Sequence, residues 1–131
     1  MAVEDVDDLS QYGIGTANNG GGTDGQEYTF PAQALDEGQH LLLARSTAAM
    51  SAYFGACIAE FGVVLEASSA VNQNGDDAIE LYFEEEVIET FGDPDVDGSG
   101  ESWEYSDSWA FKSESGDWAM GGLGCSTGAT T

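Results

Sequence analysis

Residues 72–112 read NQNGDDAIELYFEEEVIETFGDPDVDGSGESWEYSDSWAFK, and this stretch decides the predicted fold. Within it, residues 78–83 and 87–91 alternate apolar and polar side chains, which is the period of a half-buried β-strand. Residues 84–86 are three glutamates that form a turn between the two runs, so we predict a β-hairpin. Just upstream, Asn74-Gly75 is a dipeptide typical of hairpin turns.

Short strand-like runs also occur along the rest of the chain. Eighteen glycines against two prolines favour many tight turns, as an all-β domain needs. Residues 39–45 (QHLLLAR) predict a strong central strand. Further strands are predicted over residues 27–31, 63–65, 68–71, 102–112 and 117–122. We therefore expect residues 1–131 to form one domain, an antiparallel β-sandwich, since this length can bury a core.

One short helix is predicted over about residues 47–61. Ser46 or Thr47 can cap its start, and Gly62 can end it. Large apolar side chains recur at spacings of three and four, which places them on one helix face that we expect to lie in the core. This stripe consists of Met50, Tyr53, Phe54, Cys57, Ile58 and Phe61.

Residues 13–25, GIGTANNGGGTDG, are predicted to form a loop because they are rich in glycine and asparagine. The segment begins as a dinucleotide-binding fingerprint does, but Asn18 stands where the third glycine belongs, and no clear strand precedes it. The sequence therefore argues against a phosphate-binding loop.

The charge is strongly negative. Twenty-five acidic residues against Arg45 and Lys112 give −23. Such a surface repels nucleic acid and anionic lipid and attracts divalent cations. Salty surroundings, marine or halophilic, are the simplest explanation of the acidity. We expect no membrane insertion, since no apolar run is long enough, and the acidic amino terminus shows no signal peptide.

A calcium-type motif follows the hairpin. Asp93, Asp95, Asp97 and Glu104, with Gly98 between them, satisfy D-x-D-x-D-G-x5-E. In such a loop, carboxylate oxygens converge on a hard cation and glycine permits the bend, so we predict a Ca²⁺ site at these four acidic residues. The alternative is an ordinary acidic turn, because the predicted flanks are strands and Gly100 replaces the usual apolar residue.

The sequence predicts no catalytic site. His40 is the only histidine, which excludes a His-based zinc site. We expect His40 to be a core or edge residue of its strand. Cys57 and Cys125 could pair, or Cys57 could be a buried free thiol, and the sequence leaves both open.

Four aromatic residues close the stretch quoted above: Trp103, Tyr105, Trp109 and Phe111. Their odd positions would share one face of a strand. We expect this face to belong to the core, with a sugar-stacking platform as the alternative.

The chain resembles the lamin-tail-type domains of secreted bacterial proteins, some of which are attached to extracellular nucleases. The segments that carry the resemblance are residues 8–31, 74–81, 87–112 and 118–125, together with the QHLLLA strand. It implies an immunoglobulin-like β-sandwich and a non-catalytic module that tethers, docks or assembles. Such domains usually begin with one or two strands before the D-L-S-x-Y segment, whereas only MAVEDVD precedes that segment here. The usual leading strand is therefore expected to be missing: either the sequence is truncated at its start, or a sheet edge or groove is left open for another strand.

These observations predict a non-enzymatic, extracellular structural or interaction module. We expect it to self-associate or to bind a protein partner by strand addition, and to be stabilised by calcium. The alternative is an accessory domain that targets a secreted enzyme, such as a nuclease, to a surface or a polysaccharide. Nucleic acid is not an expected partner because of the charge.

Overall fold

The computed structural model describes residues 1–127, which form a β-rich fold with one α-helix in that range. The helix, α1, spans Thr47–Phe54. The strands are β1 Tyr12–Ala17, β2 Tyr28–Thr29, β3 Leu41–Ala44, β4 Val63–Glu66, β5 Ala78–Phe83, β6 Glu86–Phe91, β7 Ala110–Lys112 and β8 Trp118–Met120. Short 3-10 helices occupy Leu9–Gln11, Asn18–Gly20, Gly55–Glu60 and Ser68–Val71.

The main sheet has four antiparallel strands in the order β2-β1-β5-β6. Its central strand β1 pairs with β5 over six positions, from Tyr12 opposite Phe83 to Ala17 opposite Ala78. The predicted loop over residues 13–25 is therefore wrong in its first part. A Cβ atom on Gly15 would lie 2.5 Å from the carbonyl oxygen of Gly25. The glycines of β1 made this strand look like a loop in the sequence. Because they have no side chain, the segment around Gly25 can cross close over the strand.

The predicted hairpin is confirmed as β5 and β6. Glu84 and Glu85 form its two-residue turn, with φ values of 49° and 69°. Two consecutive positive φ angles belong to the turn type whose twist matches that of paired strands. The register shifts between Leu81 and Tyr82, which pair with Glu89 and Val87, so Ile88 is an extra, bulged residue on β6.

Several other strand predictions need correction. The predicted central strand is β3, which pairs with β4 alone, in parallel. Residues 68–71 form a 3-10 helix, and residues 102–109 form turns before the three-residue β7. Gly75 has a φ of 110°, but it leads into β5 and does not join two paired strands. β7 and β8 form a small antiparallel hairpin.

The amino-terminal segment runs antiparallel to residues 33–39. The N–H of Ala2 donates to the Gln39 carbonyl, and Val6 and Leu35 exchange two backbone hydrogen bonds, all of 2.9 Å. Leu35 is buried together with Leu9 and Phe30. Apolar side chains of β1 and β5 and of the parallel pair β3–β4 pack against this cluster, so the core lies where these strands meet.

The helix is shorter than predicted and does not line the core. Its cap is confirmed, since the Ser46 hydroxyl accepts a hydrogen bond of 3.3 Å from the N–H of Ala49. Gly55, with a φ of 55°, ends α1, and the 3-10 helix that follows ends before Gly62. Neither helix has a buried residue, and Tyr53 is 56% exposed. The predicted core stripe is wrong, because β3 and β4 supply the side chains that meet the sheet in the core.

Candidate functional site

The outer edge of β6 is the first candidate site. Within residues 1–127, β6 pairs with β5, and no strand is hydrogen-bonded to its other edge. Val87 and Ile88 on this strand are 39% and 52% exposed. An edge strand presents backbone N–H and C=O groups that another strand can pair with.

An apolar groove of about 460 Å³ lies beside this edge. Ile88 and Glu89 of β6 line one part of it, and Leu81 contributes from β5. The remaining walls come mainly from the core cluster and the amino-terminal segment: Met1, Ala2, Val3, Glu4, Val6, Leu9, Tyr12, Phe30, Leu35 and Leu41. The unpaired edge therefore has an apolar recess next to it, where side chains of an added strand could be buried.

Acidic side chains surround the edge. Residues 84–86 are glutamates at the hairpin turn, and Glu89 lies within β6. The ammonium of Lys112 forms an ion pair with Glu89, which brings β7 next to β6. Glutamates along an edge disfavour pairing with another acidic strand and favour a basic one.

The predicted calcium loop is an ordered turn whose carboxylates bind nearby backbone and hydroxyl groups. Asp93 accepts from the N–H of Asp95 and Asp97 from that of Ser99, both at 3.0 Å. Glu104 accepts from the N–H of Gly100 at 2.7 Å and from the Ser106 hydroxyl at 3.0 Å.

In this arrangement the four acidic residues do not converge. Among residues 1–127, no group of three or more His, Cys, Asp or Glu side chains is placed to hold a metal ion. Side-chain oxygens suit Ca²⁺ chemically, but a site here would require Glu104 to leave Gly100 and turn toward the aspartates. The calcium site stays a prediction.

The predicted aromatic face divides into two groups. Trp103 and Tyr105 pack against Phe91, at ring-centroid distances of 6.2 and 5.3 Å, and are half-buried, so the expected core position is met in part. Trp109 and Phe111 are instead 51% and 53% exposed. Their ring centroids lie 5.8 Å apart with an interplanar angle of 26°, so the two exposed rings stack on each other.

A buried polar cluster, which the sequence did not reveal, lies at the centre of the main sheet. Glu80 is 1% exposed and accepts hydrogen bonds from the hydroxyl of Tyr82, at 2.8 Å, and from that of Thr23. Burial raises the pKa of Tyr82 to about 12, and the hydrogen bond and charge of Glu80 add to the shift. Strand alternation places Glu80 on a polar face, so no local signal indicated that residues 23–25 would cover it.

A second buried carboxylate, that of Asp77, holds the residues that precede β5. Asp77 is 3% exposed and accepts from the N–H groups of Asn19 and Asn74, at 3.0 and 3.3 Å. The Tyr105 hydroxyl donates a hydrogen bond of 3.0 Å to the backbone carbonyl of Asp77, and burial raises the pKa of the Tyr105 phenol. These contacts join three chain segments, which indicates a structural role for Asp77.

The remaining candidate residues lie at the surface. His40 is exposed and precedes β3, which corrects the prediction of a strand residue. Cys57 and Cys125 are both free and exposed, so a disulfide between them and a buried Cys57 thiol are both wrong. Cys125 lies 3.3 Å from the Ser108 hydroxyl.

Comparisons with family models, with curated proteins and with solved structures found no match for this chain. Among residues 1–127, no helix has the length and apolar character needed to cross a bilayer.

Proposed function

We propose that this chain is a non-enzymatic interaction module that binds a β-strand along the outer edge of β6. The observation that carries the proposal is an unpaired edge strand with an apolar groove at its side. Strand addition uses both features, because main-chain hydrogen bonds supply affinity and side-chain recesses supply specificity.

The exposure of β6 supports this proposal. Val87 and Ile88 expose apolar surface at a strand edge, where soluble proteins usually place charge or cover the edge. The bulge at Ile88 increases the local twist of β6, which restricts the strands that can pair with it.

The chemistry of the added strand follows from the charges. Glu86 and Glu89 would face a second copy of the same edge with like charge, so self-association needs salt to screen the repulsion. A partner strand that alternates basic and apolar residues would pair with the glutamates and fill the groove. We propose such a protein strand as the partner, with self-association as the high-salt form.

The test uses two matched charge substitutions. Ile88→Lys puts a charge on the bulge, and Leu123→Lys makes the same change at a residue that is 60% exposed and does not line the groove. A peptide of alternating lysine and valine should bind the parent and Leu123→Lys, and should bind Ile88→Lys at least about tenfold more weakly. No binding to the parent, or equal binding to all three, would reject strand addition at this edge.

Light scattering tests self-association separately. The parent should change from monomer toward dimer between 0.05 and 1 M NaCl, because the screening length falls to about 3 Å at 1 M salt. A strictly monomeric parent at high concentration in 1 M salt would remove self-association and leave the partner strand.

We also propose that the fold is an immunoglobulin-like β-sandwich of lamin-tail type and that the protein works outside the cell. The packing of the main sheet against β3–β4 supports the two-layer part of this proposal. The acidity is consistent with a salty exterior.

Calcium is proposed as a stabilising ligand of the Asp93–Glu104 loop. A cation that binds only the folded chain raises the melting temperature by mass action, and it would relieve repulsion among the four carboxylates. We expect calcium at micromolar to millimolar concentration to raise the melting temperature more than sodium chloride at matched ionic strength, and we expect Asp97→Ala and Glu104→Ala each to abolish the difference. If calcium does no more than salt, the loop is an acidic turn.

A second candidate function is polysaccharide binding in an accessory role. The exposed, stacked rings of Trp109 and Phe111 support it, since an exposed aromatic ring face can stack on a sugar ring. Trp109→Ala should abolish binding on a glycan array, while Trp103→Ala, at a half-buried residue that packs against Phe91, should act through stability. An array without hits for the parent would reject this function.

A further inference from the structure

A second apolar opening, of about 580 Å³, lies between the main sheet and the start of α1. Ile14 and Ile79 contribute from the sheet, Leu43 from β3, Met50 from α1 and Val71 from the adjoining 3-10 helix. Clefts of roughly 300–1,000 Å³ are the size that takes small organic ligands. We call this opening the α1 cleft.

The charges around the α1 cleft differ from those of the rest of the surface. Among the residues that line it, none is an aspartate or glutamate, although the chain has twenty-five of them. One lining residue is charged, and it is Arg45, the only arginine of the chain. The groove beside β6, in contrast, is lined by Glu4 and Glu89. The α1 cleft is therefore the apolar opening that suits an anion.

Arg45 is also left without a carboxylate partner. The ion pair found within residues 1–127 joins Lys112 to Glu89. Glu66, at the end of the strand beside Arg45, instead accepts hydrogen bonds from the N–H and hydroxyl of Thr47, at 2.8 and 3.0 Å. Because Glu66 caps the start of α1, the Arg45 guanidinium keeps its donors for another group. Its planar fork matches a carboxylate.

We propose that the α1 cleft binds a small amphipathic carboxylate, with an alkyl body against the apolar walls and its carboxylate on Arg45. A cationic head would find no acidic lining residue to pair with. The overall charge of −23 opposes any anion at long range, but at physiological ionic strength this repulsion is screened over about 8 Å. The inference is independent of strand binding at β6.

Sodium decanoate, kept below its micelle-forming concentration, is a suitable probe for isothermal titration calorimetry. We expect saturable binding of one decanoate per chain, with no measurable binding of acetate, which lacks the alkyl body. Decyltrimethylammonium, with a similar body and the opposite charge, should bind more weakly than decanoate. Equal or tighter binding of the cationic probe would overturn the assignment of an anionic head.

The chain offers a matched control for the head group. Arg45→Gln and Lys112→Gln each remove one positive charge, but only Arg45 lines the α1 cleft. We expect decanoate affinity to fall about three- to tenfold in Arg45→Gln and to stay unchanged in Lys112→Gln, as befits a partly solvated ion pair. An equal response of the two variants would mean that net charge, not Arg45, determines binding.

A second pair tests the position of the alkyl body. Ala49→Glu places a carboxylate at a residue that lines the cleft, and Ala52→Glu places one at an exposed residue of the same helix outside it. Both residues are exposed, so both variants should fold, which circular dichroism checks. Decanoate should bind Ala52→Glu as it binds the parent and should bind Ala49→Glu at least about tenfold more weakly. No binding of decanoate to the parent, or no difference between this pair, would reject the site.

Discussion

The centre of the main sheet and the helical segment over residues 47–60 differ in almost every respect. Glu80 and Tyr82 in the sheet are polar and almost completely buried, and their side chains hydrogen-bond to each other. The helical segment is mostly apolar, yet none of its residues is buried. Polarity alone therefore does not tell which part of this chain is interior. The interior position belongs to β5, which has partner strands on both edges, whereas the helical segment contributes no buried residue.

The first prediction tests this contrast with the largest expected effect. Tyr82 is 2% exposed, and its replacement by alanine removes a buried ring and leaves Glu80 with one hydroxyl donor fewer. We expect Tyr82→Ala to lower the free energy of unfolding by about 3–5 kcal/mol. Urea denaturation followed by tryptophan fluorescence measures it. A loss below about 1 kcal/mol would mean that the sheet centre is not the stable part of the fold.

The pH dependence of the unfolding free energy tests the same side chain without removing its ring. Burial raises the folded-state pKa of Tyr82 to about 12, from the usual tyrosine value of 10.0. A raised pKa stabilises the fold fully below pH 10, and this contribution is lost as the pH rises from 10 to 12. The unfolding free energy should fall by up to about 1.4 kcal/mol per pH unit in this window.

Denaturation curves at pH 9 to 12 measure that slope, with Tyr82→Phe as the control. The slope should become shallower in Tyr82→Phe. It should not vanish, because burial also raises the pKa of Tyr105. The same slope in both proteins would show that Tyr82 is solvated and ionises freely.

A third prediction concerns the covering of the sheet centre. A methyl group on Gly15 would lie 2.5 Å from the backbone oxygen of Gly25 and 3.0 Å from the Tyr82 ring. We expect Gly15→Ala to destabilise the fold by about 1–3 kcal/mol, since backbone cannot give way as a side-chain tip can. Gly21→Ala is the matched control, because its added atom meets the Asn18 carbonyl at 3.1 Å and little else. Equal melting temperatures of the two variants would contradict the close crossing of residues 23–25 over β1.

The sequence could predict the β5–β6 hairpin because its signals are local. Alternation over residues 78–83 and the glutamate turn need no knowledge of the rest of the chain. β1 could not be predicted in this way. Its glycines look like a loop, and the reason for them is the approach of Gly25, a contact with a segment ten residues away.

For the helix, the local pattern was predicted correctly but its burial was not. Residues 50–61 have the period of a half-buried helix, and the Ser46 cap is correct. Periodicity identifies an apolar face but does not say what that face meets. Here β3 and β4 supply the core contacts to the sheet, and the residues of the helical face are half-buried or exposed. The burial of Glu80 and Tyr82 could not be predicted either, because period-two alternation assigns both residues to a solvent face. The edge and groove beside β6 depend on strand order, which no local pattern contains.

The smallest expected effect belongs to the helical segment. Phe54 is half-buried, and its ring packs against those of Tyr53 and Phe61, at centroid distances of 5.2 and 5.4 Å. All three lie in or directly after the same segment. Removing the Phe54 ring therefore costs local aromatic contacts but opens no cavity in the core, and we expect Phe54→Ala to lower the unfolding free energy by about 1 kcal/mol.

The matched measurement is Tyr82→Ala in the same denaturation experiment, which should cost at least about 2 kcal/mol more. A loss of about 3–5 kcal/mol for Phe54→Ala would place its ring in the core. It would also restore the helix as an interior element and remove the free face that borders the α1 cleft. A small loss, with the circular dichroism of the remaining fold unchanged, would instead show that the helical segment can vary without disturbing the sheet. Such independence would suit the ligand binding that we propose for the α1 cleft.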